Sequence, residues 1–318
     1  MNRRNFLKTT GILSSAAWAM DGAAGFSSAI SAPPKPFKLA VISDGLSQDF
    51  EAALKILQSY QIKWVEIRKV WDKYNTELSP QEIRRFKQLL DQYDIRCSQV
   101  DTALFKCALP GTKPLGPGGP IYPYEEQMDL LKRAMERAHA WGTDKIRIFA
   151  FWRVADPQTI FERVCDEVRK AAEVAQSSGM RLIIENEDTT NIGKVQELAQ
   201  NLAALPSNVG ANYDTGNGMW LGEVSYPDGF KALDPNRIWN IHLKGAECAP
   251  NFKDCKETFA DQGQIDMKGQ LTALLRDGYK GTMSLECEFK DPNLTSTETT
   301  KRSLDGLLKI MAEAIAQR

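Results

Sequence analysis

From Phe37 onward, short apolar runs alternate with polar turns and amphipathic stretches, and the cycle repeats eight times. Runs at 37–43, 63–68, 95–101, 145–151, 180–186, 209–214, 238–243 and 282–288 have the length and composition of buried strands. The stretches between them carry helical spacing and start signals. Between Tyr124 and Trp141, Met128, Leu131, Ala134, Met135 and Ala138 recur at three- and four-residue intervals, and Gly142 follows where a left-handed C-cap is wanted. Ser79-Pro80-Gln81-Glu82 combines an N-cap, a first-turn proline and the reciprocal glutamate of a capping box, and Asp156-Pro157 repeats the cap and proline. Eight strands alternating with helices predict a parallel sheet. The count favours an α/β fold of the (β/α)8 TIM barrel type in a single domain over an open, doubly wound sheet. Val41-Ile42-Ser43-Asp44-Gly45 leads directly into a helix expected to begin near Ser47, with no glycine-rich phosphate loop.

A barrel of this type keeps its chemistry at the C-terminal ends of its strands. Glu185, Asp214, His242 and Glu286 each stand there on four successive strands. Four metal-capable groups converging from one end of the sheet predict a divalent-metal site. Alternation gives them a common direction: Glu185 with Glu187, His242 with Asn240 and Lys244, and Glu286 with Ser284 and Glu288 share faces. Three carboxylates and one imidazole form an oxygen-rich set, which puts Mn2+ first among Mn2+, Mg2+, Co2+ and Zn2+. Three long connections, Leu109 to Pro123, Gly216 to Pro235 and Gly245 to Gln264, follow the third, sixth and seventh strands, and the first is expected to cover or line the pocket. Lys244, Asn217, Glu66 and Glu187 are the candidate substrate contacts, and Glu66, Arg68 and Glu187 can either contact substrate or pair with one another. Trp71, Trp152 and Trp220 lie just past strand ends, where a ring can stack on a bound ligand or serve equally as loop core. Asp266 reads as a helix cap, and His139, near a helix end, is given no role.

Ile184-Glu185-Asn186, Asn212-Tyr213-Asp214-Thr215-Gly216-Asn217, Ile241-His242-Leu243-Lys244 and Gly281-Thr282-Met283-Ser284-Leu285-Glu286 together resemble the xylose isomerase-like barrels, the sugar phosphate isomerases/epimerases. The resemblance runs from about Phe37 to the C-terminus and is strongest after residue 180. It implies that Glu185, Asp214, His242 and Glu286 bind Mn2+ or a similar ion. It also implies that Glu185 and Glu286 are catalytic, removing and returning a proton beside a carbonyl. Two positions depart from the family pattern. Asn217 stands where a histidine is common, three residues after the metal aspartate, and Cys248 stands where some epimerases carry an arginine. The expected activity is a metal-dependent isomerase or epimerase acting on a free sugar or keto-sugar. The alternative keeps the same metal and glutamates but ends in elimination, as a 3-keto-glycoside lyase or hydrolase or a keto-inositol dehydratase. A non-enzymatic sugar-binding barrel is the third reading.

The chain has 318 residues, 42% hydrophobic and 25% charged, with a formal net charge of -1, so no polyanionic partner such as nucleic acid is indicated. Two histidines in the whole chain exclude the multi-histidine tri-zinc cluster of the nuclease branch of the superfamily. Asn2-Arg3-Arg4-Asn5-Phe6-Leu7-Lys8 and the weakly apolar stretch after it resemble a twin-arginine export signal over 1–31. A Pro-rich lead-in, 32–36, and the barrel, 37–318, would follow. The expected location is periplasmic or extracellular, with the twin-arginine export machinery as a partner, no stable membrane anchor and a homo-oligomer allowed. Among six cysteines, Cys248 and Cys255 share a loop-like stretch where they can bridge; Cys97, Cys107, Cys165 and Cys287 read as small core residues.

Overall fold

The computed structural model describes residues 37–116, 119 and 121–317; the expected export signal and the lead-in lie outside the described residues. The eight apolar runs form eight strands, here β1 Lys38–Val41, β2 Trp64–Ile67, β3 Arg96–Asp101, β4 Lys145–Ile148, β5 Arg181–Glu185, β6 Val209–Asp214, β7 Ile238–Leu243 and β8 Thr282–Leu285. All neighbours pair in parallel in the order β1-β8-β7-β6-β5-β4-β3-β2. A further parallel bridge between Ile42 and Glu66 brings β1 against β2, so the sheet is nearly closed into a TIM barrel. Several strands end earlier than their apolar runs, at Val41, Ile148 and Leu285 for example.

Alternation sorts the strand residues onto two faces. Val65, Ile67, Ile146, Ile148, Leu182, Ile184, Ile241, Leu243, Met283 and Leu285 are wholly buried in the apolar core. Each such side chain contributes about 1.5–3 kcal/mol by leaving water. The covering helices are α1 Phe50–Ser59, α2 Pro80–Tyr93, α3 Gln127–Trp141, α4 Phe161–Ser177, α5 Val195–Ala204, α6 Met267–Arg276 and α7 Ser296–Ala316. Phe86 of α2 ties three of them together, stacking on Phe50 of α1 at 3.8 Å between centroids and packing at a tilt against Trp141 of α3 at 4.2 Å. The expected caps are present: the Ser79 and Glu82 capping box on α2, Gly142 at φ 76° after α3, and Asp266 accepting the Gly269 N–H before α6.

Two of three local features differ from the pattern reading. The helix expected near Ser47 is two pieces, a single turn Ser43–Leu46 and then α1, because Asp49 accepts the N–H groups of Glu51 and Ala52 and starts a new helix. The sixth crossover, the long connection expected over Gly216 to Pro235, carries only short turns such as Phe230–Ala232. The connection after β7 folds as an antiparallel hairpin, Gly245–Ala249 with Lys253–Thr258, cross-linked by a Cys248–Cys255 disulfide. Gly245 has to be glycine there: a Cβ would stand 2.0 Å from the Phe259 carbonyl oxygen. Gly245→Ala is therefore expected to destabilise the protein by about 1–3 kcal/mol, the usual cost of forcing atoms into a packed site. Urea unfolding of the two proteins side by side measures it.

Candidate metal centre

The parallel register brings the four strand-end groups together. Asp214 is opposite His242 across β6 and β7, and Glu185 is opposite Asn212, one inward position below Asp214. Glu286 lies just past β8, where its N–H donates to the Leu243 carbonyl at 3.0 Å. As a result, one ligand atom from each of Glu185, Asp214, His242 and Glu286 lies within 4.8 Å of the other three, and all four residues are buried. From His242 Nδ1 it is 3.1 Å to Glu185 Oε1, 3.2 Å to Glu286 Oε2 and 3.7 Å to Asp214 Oδ2.

The Asp214 carboxylate shows how such a group is aimed. Its Oδ1 accepts the backbone N–H groups of Gly216 at 2.8 Å and Asn217 at 2.7 Å, which turns Oδ2 toward the cluster. Oδ2 is buried with no aligned hydrogen-bond donor, although Lys244 Nζ lies 3.1 Å away. Buried acceptors are rarely left without a donor. An oxygen-rich donor set, one of whose oxygens is unsatisfied, fits a divalent cation.

Cations surround the acids. Lys244 Nζ is 2.7 Å from Glu286 Oε2, Arg68 Nη1 is 3.2 Å from Glu286 Oε1, and Arg147 Nε is 3.3 Å from Glu185 Oε2. Burial alone pushes the Glu286 carboxyl up, but Lys244 and His242 outweigh it and hold it well below the usual carboxylate range. Burial is likewise outweighed at Glu185, by His242 and Arg147, so that carboxyl is also lowered. At Asp214 burial wins over Lys244, and the carboxyl is raised to about 6. Burial opposes the charge on Lys244, yet Asp214 and Glu286 keep its ammonium well above its ordinary value.

A cavity of about 320 Å3 opens above the cluster. Lys244 lines it, and Asn217 is beside it, accepting from Lys244 Nζ at 3.1 Å and donating to the Asn186 carbonyl at 3.0 Å. Glu187 lines the wall and pairs with Lys106 at 2.6 Å. Trp220 is also in the wall; Trp71 instead packs edge-on against Phe86, and Trp152 pairs its backbone with Thr190. Glu66 is not among the groups around the cavity. It points inward, as alternation requires, but one layer too deep, and sits under His242 with Oε1 2.6 Å from Nε2. Nor does it pair with Arg68, which reaches Asp44 at 3.0 Å and Glu286 instead. The 109–123 connection does not line the cavity among its described residues; Leu115 donates its N–H to the Arg153 carbonyl at 2.8 Å and the segment is held to that side. Arg147, Asp101, Lys106 and Glu257 are site residues that pattern reading missed. Arg147 was accessible to it, since it alternates with Ile146 and Ile148 on β4.

Glu257 comes from the cross-linked hairpin. Its Oε1 lies 3.8 Å from Lys244 Nζ and its Oε2 accepts the Glu288 N–H at 3.1 Å. Burial raises its carboxyl from 4.5 to about 7, with Lys244 acting the other way. A carboxyl raised on folding binds its proton more tightly in the folded state, so the contribution is favourable below 4.5 and is lost as pH climbs toward 7. In metal-free protein, Glu257→Gln is expected to be more stable than the wild type at pH 8 by on the order of 1–3 kcal/mol and no more stable at pH 4. Urea midpoints at the two pH values test the sign.

A comparison with curated protein sequences finds no match. Among solved structures, the chain is similar to the IOLI protein with a bound zinc atom, at TM-score 0.71 and 17% identity, covering 87% of this chain and 99% of that one. It is also similar to a probable 3-DHS dehydratase from Bacillus anthracis, at TM-score 0.66, 15% identity and coverage of 87% and 99%. A third is D-psicose 3-epimerase with D-tagatose from Clostridium cellulolyticum H10, at TM-score 0.58, 16% identity and coverage of 88% and 97%. At these identities the likeness is one of fold. Residues 54–310 match the family described as Xylose isomerase-like TIM barrel. The chain therefore belongs to that family, and its four converging metal-capable groups stand at the mouth of its barrel.

Proposed function

We propose that the protein is a metal-dependent isomerase or epimerase that moves a proton beside the carbonyl of a free sugar or keto-sugar, with Mn2+ as the preferred ion. The observation that carries this reading is the composition of the cavity wall. Asp44, Glu185, Glu187, Asp188, Glu257, Glu286 and Glu288 face Arg68, Lys69, Lys106, Arg147 and Lys244, seven acids against five bases. A wall with more acids than bases suits a divalent cation, and with the ion bound the wall is close to neutral, which suits an uncharged polyol. The cavity volume of about 320 Å3 lies at the small end of the roughly 300–1,000 Å3 typical of small-molecule sites.

Glu185, Asp214, His242 and Glu286 would hold the ion. When bound, a divalent cation supplies Lewis acidity toward a carbonyl oxygen and favours the enediolate. Glu185 and Glu286 take and return the proton. Arg147 fixes the outer oxygen of Glu185 and Arg68 that of Glu286, so each carboxylate presents its other oxygen inward. Lys244, charged and beside both Asp214 and Glu286, offers an N–H to an oxygen that gains negative charge. Asn217 and Glu187 contribute hydrogen bonds at the wall.

A second reading, elimination from a 3-keto-glycoside or a keto-inositol, draws on Glu257. A buried carboxyl that keeps its proton near neutral pH is an acid suited to a departing oxygen. Export through the twin-arginine route, from the signal in 1–31, belongs to the same proposal, since free sugars are what an exported enzyme meets. No described helix is long and apolar enough to cross a membrane.

In deuterated buffer with Mn2+, wild-type protein is expected to introduce deuterium beside the carbonyl of a keto-sugar such as D-fructose or D-tagatose. Glu185→Gln and Glu286→Gln should each lower the rate at least about 100-fold, as expected for loss of a general acid or base. Chelator treatment should remove the exchange and Mn2+ restore it. An absence of carbon-bound exchange across a panel of keto-sugars refutes proton abstraction, and release of an aglycone or water selects elimination.

A further inference from the structure

The inward positions of the barrel continue the metal site downward as an unbroken file of hydrogen bonds. Lys145 of β4 donates Nζ to Thr282 Oγ1 at 2.8 Å and to the Trp239 carbonyl at 3.2 Å. Thr282 donates its hydroxyl to Asn240 Oδ1 at 2.6 Å. Asn240 Nδ2 donates to Glu66 Oε2 at 3.1 Å, and Glu66 Oε1 meets His242 Nε2 at 2.6 Å. Lys145 is 8% exposed, Thr282 4%, and Asn240, Glu66 and His242 not at all. The file thus runs from a floor cavity of about 850 Å3, which Lys145 lines, to the metal ligands at the opposite end.

The direction of each bond is forced. An ammonium only donates, so Thr282 accepts from Lys145 and has one proton to pass on, to Asn240. That fixes the Asn240 amide with its oxygen toward Thr282 and its NH2 toward Glu66. The same NH2 donates to Asn212 Oδ1 at 2.7 Å, which leaves the Asn212 NH2 standing 3.1 Å from His242 Nε2. Two groups therefore contend for one ring nitrogen. Asn212 can only donate to it; the Glu66 carboxylate can only accept from it. Where Asn212 prevails, the single ring proton of neutral His242 sits on Nδ1 and blocks the nitrogen that faces Glu185 and Glu286. Where Glu66 prevails, Nδ1 presents its lone pair to the site.

Lys145 bears on this contest. Its two hydrogen-bond partners are a hydroxyl and a carbonyl, and neither is an acid. Burial pushes its ammonium down to about 8, and Glu66 is the foremost charge acting to hold it up. We propose that Lys145, on the barrel floor, is a remote positioning residue for the metal centre. Through Thr282 and Asn240 it fixes Glu66 as the acceptor of the His242 Nε2 proton, so that Nδ1 meets the ion. This rests on the metal-site reading given above.

The chain has only two histidines, so nitrogen-15 imidazole spectra resolve the question, and His139→Gln assigns the signals. Zn2+, which is diamagnetic, serves as the probe. Zinc-loaded wild type is expected to show a protonated Nε2 and an unprotonated Nδ1 on His242. Lys145→Met and Thr282→Val should each weaken zinc affinity by about 10-fold, the lower end of the range for losing a ligand's direct outer partner because both act through Asn240 and Glu66, and should shift the Nε2–H resonance. Lys145→Arg, which keeps a charged donor, should lie between. Thr282→Val retains every charge and nearly the same shape, so it decides the matter if Lys145→Met fails to fold. Zinc affinity within about twofold of wild type and an unmoved Nε2–H signal in Thr282→Val overturn the role of the file while leaving the metal site standing. Absence of stoichiometric zinc in wild type overturns the metal site itself, and the proposal with it.

Discussion

Three carboxylates with oxygens within 4.8 Å of one imidazole nitrogen and of each other are a source of strong repulsion inside a protein. At such distances like charges interact by several kcal/mol even at an effective dielectric of about 20. Much of the barrel interior is organised around this cluster. Lys244, Arg68 and Arg147 each approach a different edge of the acid group, and each is itself anchored by a second acid or amide. The cations that answer these acids come from β4 and from the residues just past β2 and β7, so the centre belongs to the whole barrel and not only to the strands that carry the acids.

The consequence is a barrel core unlike the layers of branched aliphatic side chains that commonly fill this fold. Lys145, Thr282 and Asn240 lie lowest, Glu66, Asp101, Arg147, Ser284 and His242 above them, and the metal-capable acids with Lys244 at the mouth. The apolar core lies outside the strands, under the helices. Stability and chemistry are divided between the two faces of one sheet. The outer face buries area, and the inner face arranges charge.

That division decides how much could be read from the chain. The outer face is a matter of period, and the eight apolar runs, with caps at Ser79, Gly142 and Asp266, carried the strands and most helices directly. The convergence of the four metal-capable groups was legible because each ends a run on the inward parity. Parity says which way a residue points but not how deep it lies. Depth depends on the stagger between strands, a property of pairing, and so Glu66 was expected at the cavity and is found beneath His242. The same limit hid Arg147, whose parity was plain but whose partners, Asp101 and Glu185, come from β3 and β5. Loop contents were less accessible still. Glu257 reaches the site because a stretch that looked irregular folds as a hairpin, and the proline-rich connection expected over the pocket is held to one side by Arg153.

β1 pairs with β8, and Arg68 reaches Glu286 across 218 residues of chain. Contacts so distant in sequence are closed late, because loop-closure entropy has to be overcome before they give anything back. Glu286, just past β8, meets Arg68 and Lys244, just past β2 and β7, only once the ring is closed, whereas Arg147 with Asp101 and Glu185, and His242 with Glu66, involve no residue of β8. The charge balance of the centre is thus completed by the last strand of the barrel, and the complete four-group cluster is a property of the closed ring alone.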